Sequence, residues 1–107
     1  MAKDTDIFDY RSVKDSTVSL SGRDLIGDFE DGADFIRFAR LGLVNNDFRG
    51  IDQQFTGTPN DAETRVITTA AGWTIQVDTN GDRKVDMAID VADSDHSIIW
   101  NAADFIF

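Results

Sequence analysis

Between residues 78 and 86 the sequence reads Asp78-Thr79-Asn80-Gly81-Asp82-Arg83-Lys84-Val85-Asp86, with side-chain oxygens at 78, 80 and 82 and a further carboxylate at 86. Calcium takes roughly six to eight oxygen ligands at about 2.3–2.6 Å. A loop that turns back on itself offers such an ion Asp78, Asn80 and Asp82, the backbone carbonyl of Lys84, and Asp86 directly or through water. The EF-hand pattern expects Gly at the sixth loop position and Glu at the twelfth; Arg83 and Ile89 stand there instead. A complete EF-hand is therefore not expected, and Gly81 is expected to supply the turn. The same stretch reads as a hairpin tip, because Asn-Gly between alternating apolar runs is a strong hairpin signal. The predicted register turns Trp73, Ile75, Val77, Val85, Met87 and Ile89 toward a core.

Strands flank this loop and fix its place. Glu63–Thr69 is β-branched, and with Trp73–Val77 and Val85–Val91 it predicts an antiparallel meander whose first turn is Ala71-Gly72. Asp6–Tyr10 and Val13–Leu20 read as strands or extended turns. Asp24–Phe29 and Phe35–Phe38 predict a second strand pair about an Asp31-Gly32 turn. Ala39–Val44 closes as one helical turn, and the spacing of Phe48, Ile51 and Phe55 suggests a short helix with one buried face, or apolar anchors in a loop. Asp93–His96 is a turn and Ile98–Trp100 a buried or edge strand. Trp73 is assigned to the core, while Trp100 is open. The fold class that follows is all-β, an antiparallel meander or sandwich-like module with one or two short helical turns.

One domain over residues 1–107 fits a chain of this size, 41% of which is hydrophobic. Twenty acidic against ten basic side chains give a formal charge of −10, so nucleic acid and anionic membrane surfaces are repelled and cations are the natural partners. No apolar run approaches the roughly 20 residues of a membrane span, and Met1-Ala2-Lys3-Asp4 does not open a secretory signal. With no cysteine and only His96 as histidine, the usual zinc ligand sets lack their parts. Nucleophile elbows, phosphate cradles and basic aromatic platforms are also missing. Carboxylates are too abundant for any pair to be singled out as a glycosidase couple, and the segment is read as non-enzymatic. Asp24, Asp28, Asp31 and Asp34 are interleaved with Leu25, Ile26, Phe29, Phe35 and Ile36, which are expected to hold them beside a core where backbone amides or a cation satisfy them.

Asp24, Ile26, Asp28, Phe29, Gly32, Asp34 and Ile36 also fit the run Asp-x-Ile-x-Asp-Phe-x-x-Gly-x-Asp-x-Ile. With Asp15-Ser16, the strand-like Asp6-Ile7-Phe8, the Asp-x-Asn-Gly-Asp hairpin and the ending Asp104-Phe105-Ile106-Phe107, nearly the whole chain resembles a known module. It is similar to the C-terminal module that follows the glycine-rich nonapeptide repeats of RTX proteins exported by type I secretion, as in serralysin-type metalloproteases and the repeat modules of alginate epimerases. The resemblance implies a cap on a β-roll, with Asp15 and Asp24 closing the last calcium site of that roll. It implies an uncleaved export signal at Asp104, Phe105, Ile106 and Phe107, and a secreted, extracellular parent. The partners implied are the preceding β-roll of the same protein and a type I exporter, with calcium as the cofactor. The family's catalytic residues have no counterparts here. Two features depart from the pattern: no Gly-Gly-x-Gly-x-Asp repeat is present, and Arg83 replaces a glycine of the hairpin loop. The alternative function is a polysaccharide-binding accessory module attached to an enzyme, for which calcium would have to bridge the acidic surface to an anionic polymer, or basic side chains such as Arg37, Arg40, Arg49 and Arg65 would have to cluster.

Overall fold

Alternation of β-branched and aromatic residues with polar ones builds two sheets around a shared apolar cluster. A computed structural model describes residues 6–27, 29–30, 33–38, 48–58 and 61–106. Among these the strands are β1 (Ile7–Tyr10), β2 (Asp24–Ile26), β3 (Phe35–Phe38), β4 (Phe48–Ile51), β5 (Glu63–Thr69), β6 (Gly72–Asp78), β7 (Met87–Ala92) and β8 (Phe105–Ile106). One sheet has the order β1-β3-β8, and the other β2-β7-β6-β5-β4. The expected all-β architecture is found, with its helical content confined to short 3-10 turns, among them Val13–Asp15, Leu20–Gly22 and Ala102–Asp104.

The meander is the centre of the larger sheet. β5, β6 and β7 pair antiparallel, with Val66 opposite Ile75 and Ile75 opposite Ile89. Trp73, Ile75, Val77, Met87 and Ile89 are buried as the register predicts. Val85 is only half-buried and precedes the strand, because β7 begins at Met87 and the link from β6 is the longer loop 79–86 rather than a two-residue turn. Gly72 opens β6 at φ +146°, and a Cβ there would meet the Val91 carbonyl at 2.3 Å. Only glycine lets the two backbones come so close.

Around this meander the pairing is parallel, which the alternation of side chains does not report. β2 adds parallel to β7 and β4 parallel to β5, and the β1-β3-β8 sheet is parallel throughout. β2 and β3, expected to pair with each other, lie in different sheets. The chain passes from β1 in one sheet to β2 in the other and returns to β3 alongside β1, so these three strands mark one turn of a two-sided coil. Val13–Leu20 is not a strand; it holds the Val13–Asp15 turn and the start of Leu20–Gly22. Phe48–Ile51 is a strand and not a helix, because its partner β5 offers an open edge, and Phe55 is buried just beyond it in a loop. Leu25, expected against the core, is 69% exposed on β2. The expected turns at Ala39–Val44 and Asp31-Gly32, together with Asp28, Arg40 and Phe107, lie outside the described residues.

The core joins both sheets through aromatic contacts. Phe105 of β8 lies 5.1 Å from Phe48, 5.8 Å from Trp100 and 6.0 Å from Phe38, measured between ring centroids. Trp100, which the sequence leaves open, is buried between Phe29 at 4.9 Å and Trp73 at 6.5 Å. Ile98–Trp100 forms no strand, although Ile98 and Trp100 are buried. The Asp93–His96 corner brings these residues in. Burial alone would raise the pKa of Asp93, but hydrogen bonds from the Ile98 N–H, the Trp73 indole and the Ser97 N–H hold it well below the usual carboxylate range. Among the described residues no helix is long and apolar enough to cross a membrane.

Candidate metal centre

The loop 79–86 is organised by its first carboxylate. Asp78 ends β6 with no solvent exposure, so its charge must be met locally. Its Oδ1 accepts the Asn80 N–H at 3.2 Å and the Gly81 N–H at 2.9 Å, and its Oδ2 accepts the Arg83 N–H at 2.9 Å. These bonds bend the backbone round on itself. At the other end, Asp86 Oδ2 accepts the Thr79 N–H at 2.8 Å and the Thr79 hydroxyl at 2.9 Å. The loop thus closes at the base of the β6–β7 hairpin, where the Asp86 N–H also donates to the Val77 carbonyl.

Carboxylate oxygens of Asp78, Asp82 and Asp86 lie within 4.8 Å of one another. Two ligands of one calcium ion can be separated by at most twice the roughly 2.3–2.6 Å bond length, or about 5 Å, so this spread fits a common ion. An ionised carboxylate has about four lone-pair sites. The backbone bonds therefore leave capacity on Asp78, and among the described residues Asp82 Oδ2 and Asp86 Oδ1 accept no hydrogen bond. Asn80 is exposed in the same turn, its Oδ1 accepting the Asp82 N–H at 3.3 Å. The Lys84 N–H donates to Asp82 Oδ1 at 2.9 Å. The chemistry and spacing of this donor set suit a hard divalent cation.

Arg83 corrects one expectation and answers one departure. The turn uses Gly81 at φ +77° as predicted, but Arg83 also takes a left-handed backbone, φ +68°, which costs a residue with a Cβ about 1–2 kcal/mol. Its guanidinium leaves the loop, donating to the Thr56 carbonyl at 3.1 Å and lying over Gly57, where a Cβ would meet Arg83 Nε at 2.3 Å. Among the described residues no Lys or Arg forms an ion pair with Asp78, Asp82 or Asp86.

Asp15 and Asp24 both act on the buried Tyr10. Burial first, then the charge and hydrogen bond of Asp24, then the charge of Asp15, raise the Tyr10 phenol well above its ordinary value. Both carboxylates remain exposed. Asp15 Oδ2 accepts the Arg11 and Ser12 N–H groups at 2.9 and 3.1 Å. Ser16, fully buried, locks the segment onto β7. Its hydroxyl donates to the Ala88 carbonyl and accepts the Asp24 N–H at 2.9 Å. In the sequence alone Ser16 figures only within the Asp15-Ser16 pair, and Tyr10, Ser16 and Thr79 are given no role in a site. The signals were a lone tyrosine at the end of an apolar alternation and hydroxyls adjacent to the acidic positions. Asp34, also buried, is satisfied by backbone amides, accepting from Asp6 and Glu30 at 2.9 Å each.

Three of the arginines invoked for a polysaccharide surface hold other contacts. Arg65 stacks on Phe55 at 4.1 Å and donates to Gln76 and Gln53, Arg49 faces Glu63 at 3.5 Å, and Arg37 faces Asp9 at 3.9 Å. A groove of about 390 Å³ beside β2 is lined by Arg23, Leu25, Trp73, Thr74 and Asp90 among others, and Asp90 is its one carboxylate among the described residues. Asp90 Oδ1 accepts from Thr74 at 2.7 Å and pairs with Arg23 at 3.3 Å.

Residues 1–107, the whole chain, match the family model described as Peptidase M10 serralysin C terminal. A comparison with curated proteins gives no significant match.

Proposed function

Because this chain belongs to the serralysin C-terminal family, we propose that it is the non-catalytic, calcium-associated cap and type I secretion module of a longer extracellular RTX protein. The observation that carries this reading is the open side of the coil formed by β1, β2 and β3. β1 and β2 stand at the ends of their sheets, each paired on one side only among the described residues. Ile7 on β1 is 52% exposed and Leu25 on β2 69%. Parallel strands are normally covered on both faces, and an unpaired edge is a ready template for another strand. A preceding β-roll would continue both sheets with the parallel pairing already set by β1 with β3 and β2 with β7.

The other ends of the sheets are poor templates. β8 has two residues, and β4 carries a register shift and a backbone broken by Gly50 at φ +109° and Asp52 at φ +55°. Irregular or very short edge strands end a sheet, which suits a terminal cap. Asp24 lies on the open edge strand β2, and with Asp15 it would complete a cation site with oxygens from the last roll turn; the Asp78–Asp86 loop would hold its own ion. Calcium would neutralise carboxylates that otherwise repel one another in a chain of charge −10, coupling binding to folding.

Hydrogen exchange tests the partner. Amides of Ile7–Tyr10 and Asp24–Ile26 are expected to exchange several-fold more slowly in a polypeptide that retains the proposed roll than in residues 1–107 alone. Equal protection of both strands in the two forms would remove the roll as their partner.

A further inference from the structure

Asn80 is the only asparagine of the protein followed by glycine. In such a pair the glycine nitrogen attacks the carboxamide carbon of the asparagine. A new C–N bond closes a five-membered succinimide, the bond from that carbon to the original amide nitrogen breaks, and ammonia leaves. Water then opens the ring to aspartate or isoaspartate, so no oxidant or reductant is needed. Asparagine is among the thermolabile residues, and a following glycine leaves the attacking nitrogen uncrowded because it has no Cβ. Asn80 is exposed, which gives ammonia a way out and water a way in.

The folded loop holds both reacting groups. The Gly81 N–H donates to Asp78 Oδ1 at 2.9 Å, the Asn80 N–H reaches the same oxygen at 3.2 Å, and Gly81 itself is buried. The nitrogen attacks only after losing its proton, and the electron pair then exposed points at a carboxylate. Two negative charges at that distance repel strongly away from bulk water. The Asn80 carboxamide oxygen is held in turn by the Asp82 N–H at 3.3 Å.

We propose that Asn80 is a deamidation site of this protein and that the Asp78 carboxylate sets its rate by holding the Gly81 amide. The reaction requires the loop to open, so its speed follows the population of the open form. Either product changes the loop's chemistry. Aspartate adds a fourth carboxylate to three already within 4.8 Å, and isoaspartate inserts a backbone methylene that ends the alternate spacing of oxygens. The proposal stands on the turn's hydrogen bonds and holds whether or not the loop takes calcium.

The test is to age the folded 107-residue protein in warm, mildly alkaline buffer with chelator. Conversion at each asparagine is followed by peptide mapping with isoaspartate detection, beside a synthetic peptide of residues 78–86. Asn80 is expected to convert before Asn45, Asn46, Asn60 or Asn101, and several-fold more slowly in the protein than in the peptide. Asp78→Asn, checked for folding by circular dichroism, should convert roughly tenfold or more faster than wild type, the ratio that loss of even one charge-assisted hydrogen bond gives. Conversion elsewhere with Asn80 intact would overturn the site. Equal rates in folded protein and peptide would overturn the protection, a comparison that needs no variant and so decides the matter even where Asp78→Asn does not fold. An Asp78→Asn variant that folds and converts at the wild-type rate would overturn the role of Asp78.

Discussion

Asp78→Ala is expected to lower the unfolding free energy by about 3 kcal/mol in chelator, measured by urea denaturation, and to abolish any calcium-dependent gain. Asp78 is fully buried and accepts three backbone N–H groups. Hydrogen bonds to a charged group contribute about 1.5–3 kcal/mol each, and some of the freed amides can rehydrate when the loop loosens. Asp82→Ala is the control that separates holding the loop from holding an ion. Asp82 is exposed and among the described residues accepts only the Lys84 N–H, so its loss should change stability in chelator by about 0.5 kcal/mol or less. In calcium the same variant should lose most of the gain that wild type shows. Identical behaviour of the two variants in chelator would mean that Asp78 does not organise the loop.

Phe105→Ala should cost about 3–5 kcal/mol, the range for truncating a buried phenylalanine. Its ring is 4% exposed and joins Phe38, Phe48 and Trp100 across both sheets. Against a total of roughly 5–15 kcal/mol for a domain, one such change can unfold a large fraction of the protein at 37 °C. Ile106→Ala, at a residue 37% exposed on the same strand, should cost about 1 kcal/mol or less. The contrast matters for the proposed export signal. Asp104 is buried with its Oδ2 accepting the Asn101 N–H at 2.9 Å, and Phe105 is core, so an exporter would meet these residues only on an unfolded chain. Deleting residues 104–107 should abolish type I export, read as protein in the medium. Undiminished export would sink the signal assignment.

How far the sequence could be read follows from what each residue reports. Alternation along Trp73–Val77 and β-branching in Glu63–Thr69 report burial and extension, and those strands stand where the pattern puts them. Alternation carries no information on strand direction, so the parallel pairing of β2 with β7 and β4 with β5 was not legible. Phe48, Ile51 and Phe55 show why short apolar spacing misleads. Three anchors fit a helical face, yet β5 supplies an edge with which Phe48–Ile51 pairs. The acidic ring of the 78–86 loop was legible because each carboxylate lies within nine residues of the others and the turn is local. That Asp24 lies beside Ser16 follows from a buried serine fixed to Ala88, a contact between distant segments that no local spacing encodes.

Calcium-linked folding is the centre of the account, and thermal unfolding of the unmodified protein in calcium and in chelator tests it most directly. An ion that binds only the folded form contributes about 2.7 kcal/mol at a hundredfold excess over Kd. For a domain of this size that corresponds to a rise in Tm of roughly 10 °C. Calcium-linked folding predicts such a rise, growing with calcium concentration. The same Tm in calcium and in chelator, across concentrations up to millimolar, would contradict it.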